Sequence, residues 1–163
     1  MVRREEAEAR TDVVDAWRDA AEAKGLALFA RFDADLPAWV SADPLRIRQV
    51  LTNLVSNAVR YGPGDRPVVI RTEEAPEQGL VRIAVTDEGP GIPPEHAARL
   101  FERFYRADKA RSRAEGGTGL GLAIVKHIAL VHGGSVSLDS RVGAGSTFTI
   151  EVRGWKPPTQ NGP

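Results

Sequence analysis

Six apolar residues, Ile47, Val50, Leu51, Leu54, Val55 and Ala58, recur at helical spacing between a start signal and a stop signal. Asp43 is suited to cap this helix, and Pro44 suits its first position, where a missing N–H costs nothing. Gly62-Pro63-Gly64-Asp65 ends it. A helix with one apolar stripe has to bury that stripe against another layer. The next residues supply such a layer: Val68 to Thr72 and Leu80 to Thr86 read as an antiparallel strand pair around Pro76 to Gly79.

The other elements fit around this pair. Residues 12–24 read as a helix with Thr11 as N-cap, Gly25 past its end, and Val13, Trp17 and Ala20 on one face. Leu26 to Phe32 alternates, with Leu28, Ala30 and Phe32 on one side, and Trp39 to Ser41 is a short strand candidate. Pro93-Pro94 opens a short helix ending near Phe104. Residues 106–118 are polar, charged and glycine-containing, the composition of a mobile loop, which Phe101 and Phe104 should pin at its start. Gly119 to His132 is a helix stopped by Gly133-Gly134, and Ser135 to Asp139 and Thr147 to Val152 are the last strands. Residues 1–10 are expected to be a linker or tag remnant, 11–153 one domain, and 154–163 a disordered tail. The order predicts an α+β fold, a two-layer sandwich with helices on one face of a mixed, mostly antiparallel sheet. It is not the alternating order of a dinucleotide fold, and no Walker A sequence occurs.

Composition narrows the function classes. A chain of 163 residues suits a single core. Lys plus Arg and Asp plus Glu total 22 each, so net charge offers nothing to nucleic acid or an anionic membrane. No cysteine is present, which removes disulfides, thiolate metal sites and cysteine nucleophiles. No apolar run reaches the roughly 20 residues that span a bilayer, and residues 1–6 lack a signal-peptide core.

Three segments carry candidate chemistry. Asn53 and Asn57 share one helix face, with Arg60 a turn further on and Tyr61 beside it. An asparagine carbonyl is a hard ligand suited to Mg²⁺, which borrows phosphate oxygens, and Arg60 can meet a phosphate. Asp87-Glu88-Gly89-Pro90-Gly91-Ile92 follows a strand, where a carboxylate can accept from an exocyclic amine while glycines admit a flat ring. Gly116-Gly117-Thr118-Gly119-Leu120-Gly121-Leu122 opens a helix, whose free N–H groups and dipole favour phosphate. Each has a bland reading: an exposed helix face, an acidic turn, a common glycine-rich entry. Their order and separation together are what chance rarely produces.

With these segments the sequence resembles the sensor histidine kinases. Asp43-x-x-Arg46 with Gln49-Val50-Leu51-x-Asn53-Leu54-x-x-Asn57-Ala58 resembles the N box, and Asp87-x-Gly89-x-Gly91 the G1 box. Leu100 to Arg106 resembles the F box, and Gly117 to Val125 the G2 box. Gly143-Ala144-Gly145-Ser146-Thr147-Phe148 is similar to the turn before the family's last strand. The resemblance covers about residues 11–153. It implies the ATP-binding fold shared with DNA gyrase, Hsp90 and MutL, with the loop after the F box as ATP lid. It also implies that Asn57 binds Mg²⁺ and Asn53 sits at the triphosphate as the catalytic candidate. Asp87 would take the adenine amine, with Gly89, Gly91 and Ile92 shaping the base pocket. Tyr105 and Arg106 would close over the nucleotide, Thr118, Gly119, Leu120, Gly121 and Leu122 would face it, and Thr147 would support Asp87. Arg60 stands where the family usually has lysine, which keeps the charge and changes the geometry.

The family's phosphoacceptor is a histidine followed by an acidic residue. His96, His127 and His132 do not fit it; His96 is expected to be exposed, and the other two to lie on the helix surface or in packing. The resemblance therefore implies an ATP half that acts on a histidine in a separate dimerisation domain, with a response regulator downstream. That half would be cytoplasmic, in a parent held in the plasma membrane. A serine kinase of the anti-sigma type and a non-catalytic nucleotide sensor share the pocket motifs. A gyrase-like ATPase is disfavoured because its water-activating glutamate is replaced by Asn53.

Overall fold

The computed structural model describes residues 5–32, 42–75, 80–107 and 118–153. The helices are α1 (Glu5–Glu22), α2 (Pro44–Tyr61), α3 (Pro94–Ala97) and α4 (Gly121–Val131). The strands are β1 (Leu28–Phe32), β2 (Val68–Ala75), β3 (Leu80–Asp87), β4 (Ser135–Arg141) and β5 (Gly145–Arg153). They form one sheet in the order β1-β2-β3-β5-β4. β1 lies parallel to β2, with Leu28 opposite Val68, and α2 is the crossover between them. The other pairings are antiparallel, and β3–β5 sets Asp87 opposite Ser146. This is the expected mixed sheet of an α+β sandwich.

The core forms where the stripe of α2 meets one face of the sheet. Val50, Leu51, Leu54 and Val55 are buried together with Val81, Ile83 and Val85 of β3 and Ile150 and Val152 of β5. α1 and α4 both pack against α2. The opposite face of the sheet is polar: Arg82 bridges Glu73 and Glu151 at 3.0 Å each, and the Thr86 and Thr147 hydroxyls lie 3.0 Å apart. Among the described residues, no helix is long and apolar enough to cross a membrane.

α2 begins as its sequence demands. The Asp43 carboxylate accepts from Leu45 N–H at 2.9 Å, and Pro44 occupies the first turn. At the other end the Lys24 ammonium donates to the carbonyls of Val59 and Arg60, at 3.1 and 2.8 Å, occupying acceptors that a helix end leaves open. α4 is joined to α2 twice. Asn53 Nδ2 donates to Gly121 O at 3.3 Å, and Asp43 N–H donates to His132 Nε2 at 3.1 Å. His132 Nδ1 lies 2.8 Å from Ile128 O and must donate to it, so its ring is neutral with the proton on Nδ1.

Several expectations are corrected. The first helix runs straight through Thr11 from Glu5, so Thr11 does not cap it, and residues 5–10 of the 1–10 segment are helical. Its Ala- and Glu-rich start has helix propensity enough to extend it. Its buried face is Val14, Trp17 and Ala21, while Ala20 is exposed. The helix from Pro94 is only four residues long and gives way to turns before Phe104. β5 starts at Gly145, two residues before the expected Thr147. The expected strand at Trp39 to Ser41, most of the loop at 106–118 and the tail from Trp155 lie outside the described residues.

Candidate functional site

The C-terminal half of α2, the turn after β3 and the start of α4 enclose a cavity of about 530 Å³. Each element contributes by its geometry. The stripe of α2 faces the sheet, so Asn53, Asn57, Arg60 and Tyr61 fall on the flank that borders the cavity. Strand alternation turns Asp87 to the helix side and Thr86 to the open side. Gly91 has φ 70°, and a side chain there would run into the Arg141 carbonyl, so only glycine suits this turn.

Asp87 is 7% exposed. Its Oδ1 accepts from Gly89 N–H at 2.8 Å, and the carboxylate also accepts from the Ser146 backbone. Burial pushes its pKa above the usual carboxylate range, and the two backbone donors only partly offset that. The turn is braced from β4, where Ile92 N–H donates to Ser140 Oγ at 2.8 Å and Ser140 Oγ lies 2.9 Å from Ser146 Oγ. A rigid, half-desolvated acceptor of this kind suits a ligand N–H group.

The opposite charge enters after α3. Phe101 packs edge-on against Phe148 of β5, with ring centroids 6.4 Å apart. Phe104 was expected to pin the following loop, but its side chain is 70% exposed. Its backbone does so instead: Phe104 N–H donates to Gly119 O at 2.9 Å, across the two ends of the 105–118 segment. Both residues have left-handed backbone, φ 65° and 71°. Tyr105 and Arg106 then border the cavity. Arg106 Nε and Nη2 are buried and have no partner among the described residues. A buried guanidinium edge without an acceptor is costly, so it marks a place for an anion.

Of the expected site residues, Asn53, Asn57, Arg60, Tyr61, Asp87, Gly91, Ile92, Tyr105, Arg106, Thr118, Gly119, Gly121 and Leu122 line this cavity. Gly89 contributes through its hydrogen bond to Asp87. Leu120 stands outside the lining, at the N-terminus of α4. Thr147 does not support Asp87: it faces the open side of the sheet and meets Thr86. Its neighbour Ser146 takes that place. Sequence reasoning also missed His96, which is half-buried in the lining with Nδ1 2.6 Å from the Tyr105 hydroxyl. No spacing rule links residues 96 and 105, because turns rather than a helix bring them together. His127, by contrast, is exposed on α4 as expected.

The family model of histidine kinase-, DNA gyrase B- and HSP90-like ATPases matches residues 42–155. The chain belongs to this family. Within these ATPases it is similar to the sensor-like histidine kinase SenX3 of Mycolicibacterium smegmatis, at 53% identity over 126 residues, 77% of this chain and 32% of that protein. It is 46% identical over 124 residues to the sensor histidine kinase WalK of Bacillus subtilis, 76% of this chain and 20% of that protein. The chain thus spans about a third or less of the curated relatives it matches. Full-length ShkA in complex with AMPPNP superposes with a TM-score of 0.79 at 30% identity, over 94% of this chain and 31% of that one. The catalytic domain of histidine kinase ThkA gives 0.76 at 29% identity, over 90% and 91%. The ATPase fold here is that of a sensor histidine kinase catalytic domain.

Proposed function

We propose that the chain binds Mg-ATP in this cavity and offers the γ-phosphate to a histidine on a separate helical dimerisation domain. One observation carries the reading: a buried carboxylate, Asp87, and a buried guanidinium edge without a partner, Arg106, border one cavity. Adenine with its triphosphate presents an amine and an anion to match. Asp87 accepts from the adenine amine beside Gly91 and Ile92. Arg106, Arg60 and the start of α4 take the phosphates.

The residues also fit a divalent cation. Asn57 is half-buried, borders the cavity and has no hydrogen-bond partner among the described residues, so its carbonyl oxygen is available. A single hard oxygen is a small ligand set, which matches an ion that completes its shell with phosphate oxygens and water. Such an ion would supply charge neutralisation at the phosphates. Asn53 holds Gly121 by its amide nitrogen, and its amide oxygen stays free beside the glycine turn. The reaction is phosphoryl transfer by positioning and charge neutralisation, and the nucleophile comes from the acceptor domain. We place the catalytic domain at residues 11–153. Its partners are the parent's own phosphoacceptor domain and, through it, a response regulator. The parent kinase sits in the plasma membrane with this domain on the cytoplasmic side.

The test is phosphorylation in trans. The chain, γ-labelled ATP and a phosphoacceptor domain from a sensor histidine kinase should yield an acid-labile, alkali-stable label on that domain, dependent on Mg²⁺. Acid-stable label on serine would instead indicate a serine kinase, and binding without transfer a nucleotide sensor.

A further inference from the structure

His96 belongs to no motif of the pocket, yet it makes a short side-chain contact there. Its Nδ1 lies 2.6 Å from the hydroxyl of Tyr105, and both residues border the cavity. The rings are tilted by 47° with centroids 6.1 Å apart, so the hydrogen bond, not stacking, joins them. A third residue completes the arrangement: the Arg99 guanidinium lies over the Tyr105 ring, 4.4 Å from its centroid. Arg99 is itself held by Glu102 at 3.1 Å. Tyr105 is therefore tethered at its hydroxyl and covered on one face by a cation. Its remaining face and edge are what it can show the cavity.

We propose that His96 is a specificity-determining positioning residue, which locks the Tyr105 ring as a preformed wall against the nucleotide base. Among the described residues, little besides His96 and Arg99 holds Tyr105. It follows Phe104, whose side chain is exposed, and its N–H makes only a 3.3 Å turn bond to Glu102 O. A phenol free to turn would have to be ordered on each binding event, and the His96 bond makes that ordering part of the fold. The imidazole acts through Tyr105, so the benefit is confined to ligands with a base. The inference rests on the ATP site proposed above.

The test is a mutant cycle read with two ligands, ATP and inorganic triphosphate, on the full chain. His96→Ala should weaken ATP roughly two- to tenfold, the range of one net hydrogen bond, and leave triphosphate affinity unchanged. Tyr105→Phe removes the same bond from the other side, and the double variant should be no weaker than the worse single one. His96→Asn places an amide near the position of Nδ1 and should restore ATP affinity. Equal loss for both ligands, or additive losses in the double variant, would overturn the role of His96. Failure of the wild type to bind ATP would instead remove the site itself, and the inference with it. Thermal unfolding of each variant separates these outcomes from misfolding. His96 sits on a four-residue surface helix, so the fold should tolerate its loss.

Discussion

Asp87 shows how one side chain is placed between stability and function. Burial raises its pKa above the ordinary 3.8. The folded state then holds the proton more tightly than the unfolded one. Its contribution is most favourable below 3.8 and declines as pH rises through the raised folded value. Asp87→Asn removes that titration. The melting temperature of the wild type should therefore fall relative to the variant as pH rises from about 3.8 toward neutrality. A difference that stays constant or moves the other way would mean the carboxylate is not desolvated. In the same variant ATP affinity should drop by about tenfold or more, because an amide nitrogen presented to the adenine amine cannot accept. ATP and GTP should bind the wild type very differently, which competition titration will show. Asp87 was legible in the sequence because a carboxylate ends a strand before two glycines. Its partner was not. That partner is the backbone N–H of Ser146, and no side-chain pattern in a sequence marks which backbone donor a carboxylate meets. Thr147, to which the family resemblance gives that role, instead meets Thr86 on the other side of the sheet.

At the scale of the element, α2 divides its labour by face. Leu54 is 1% exposed in the core, and Asn57, three residues on, borders the cavity. Leu54→Ala should cost about 2–5 kcal/mol of stability, measured by denaturant unfolding. Asn57→Ala should leave stability nearly unchanged, since alanine is the better helix former by about half a kcal/mol. It should instead flatten the dependence of ATP affinity on Mg²⁺. Equal responses of variant and wild type to a Mg²⁺ titration would remove Asn57 as the ligand. α2 could be read in full from the sequence because cap, stripe and stop coincide between Asp43 and Gly62. α1 could not, since Thr11 resembles a cap in a stretch whose alanines and glutamates continue the helix past it. α3 is shorter than its sequence suggests because Arg99, Glu102 and their neighbours suit a helix and equally suit the turns that occur there.

For the whole molecule, the site is an assembly of distant segments held by a few polar links. The Phe104–Gly119 backbone bond joins the ends of a segment rich in charge, including Arg111 and Arg113, with no large apolar residue from 107 to 117. A triphosphate offers those arginines a partner. Amide exchange across residues 107–121 should slow at a saturating concentration of a non-hydrolysable ATP analogue, while exchange in β3 and β5 stays the same. Unchanged exchange across 107–121 would rule out a lid role for that segment.

The neutral imidazole of His132 gives the pair α2 and α4 a mechanical character. It fastens them at the end remote from the cavity, so the two helices are jaws that share a pivot. An 11-residue helix is about 16 Å long, and a tilt of about 5° at the pivot swings its far end by roughly 1.4 Å. That is enough to break the 3.3 Å bond between Asn53 and Gly121. A rotation of that size would also shift Val125, buried on α4, so the glycine turn and the core are coupled through this helix. Nitrogen NMR should find the His132 proton on Nδ1 at neutral pH with and without nucleotide, because a pivot keeps its contacts while the jaws move.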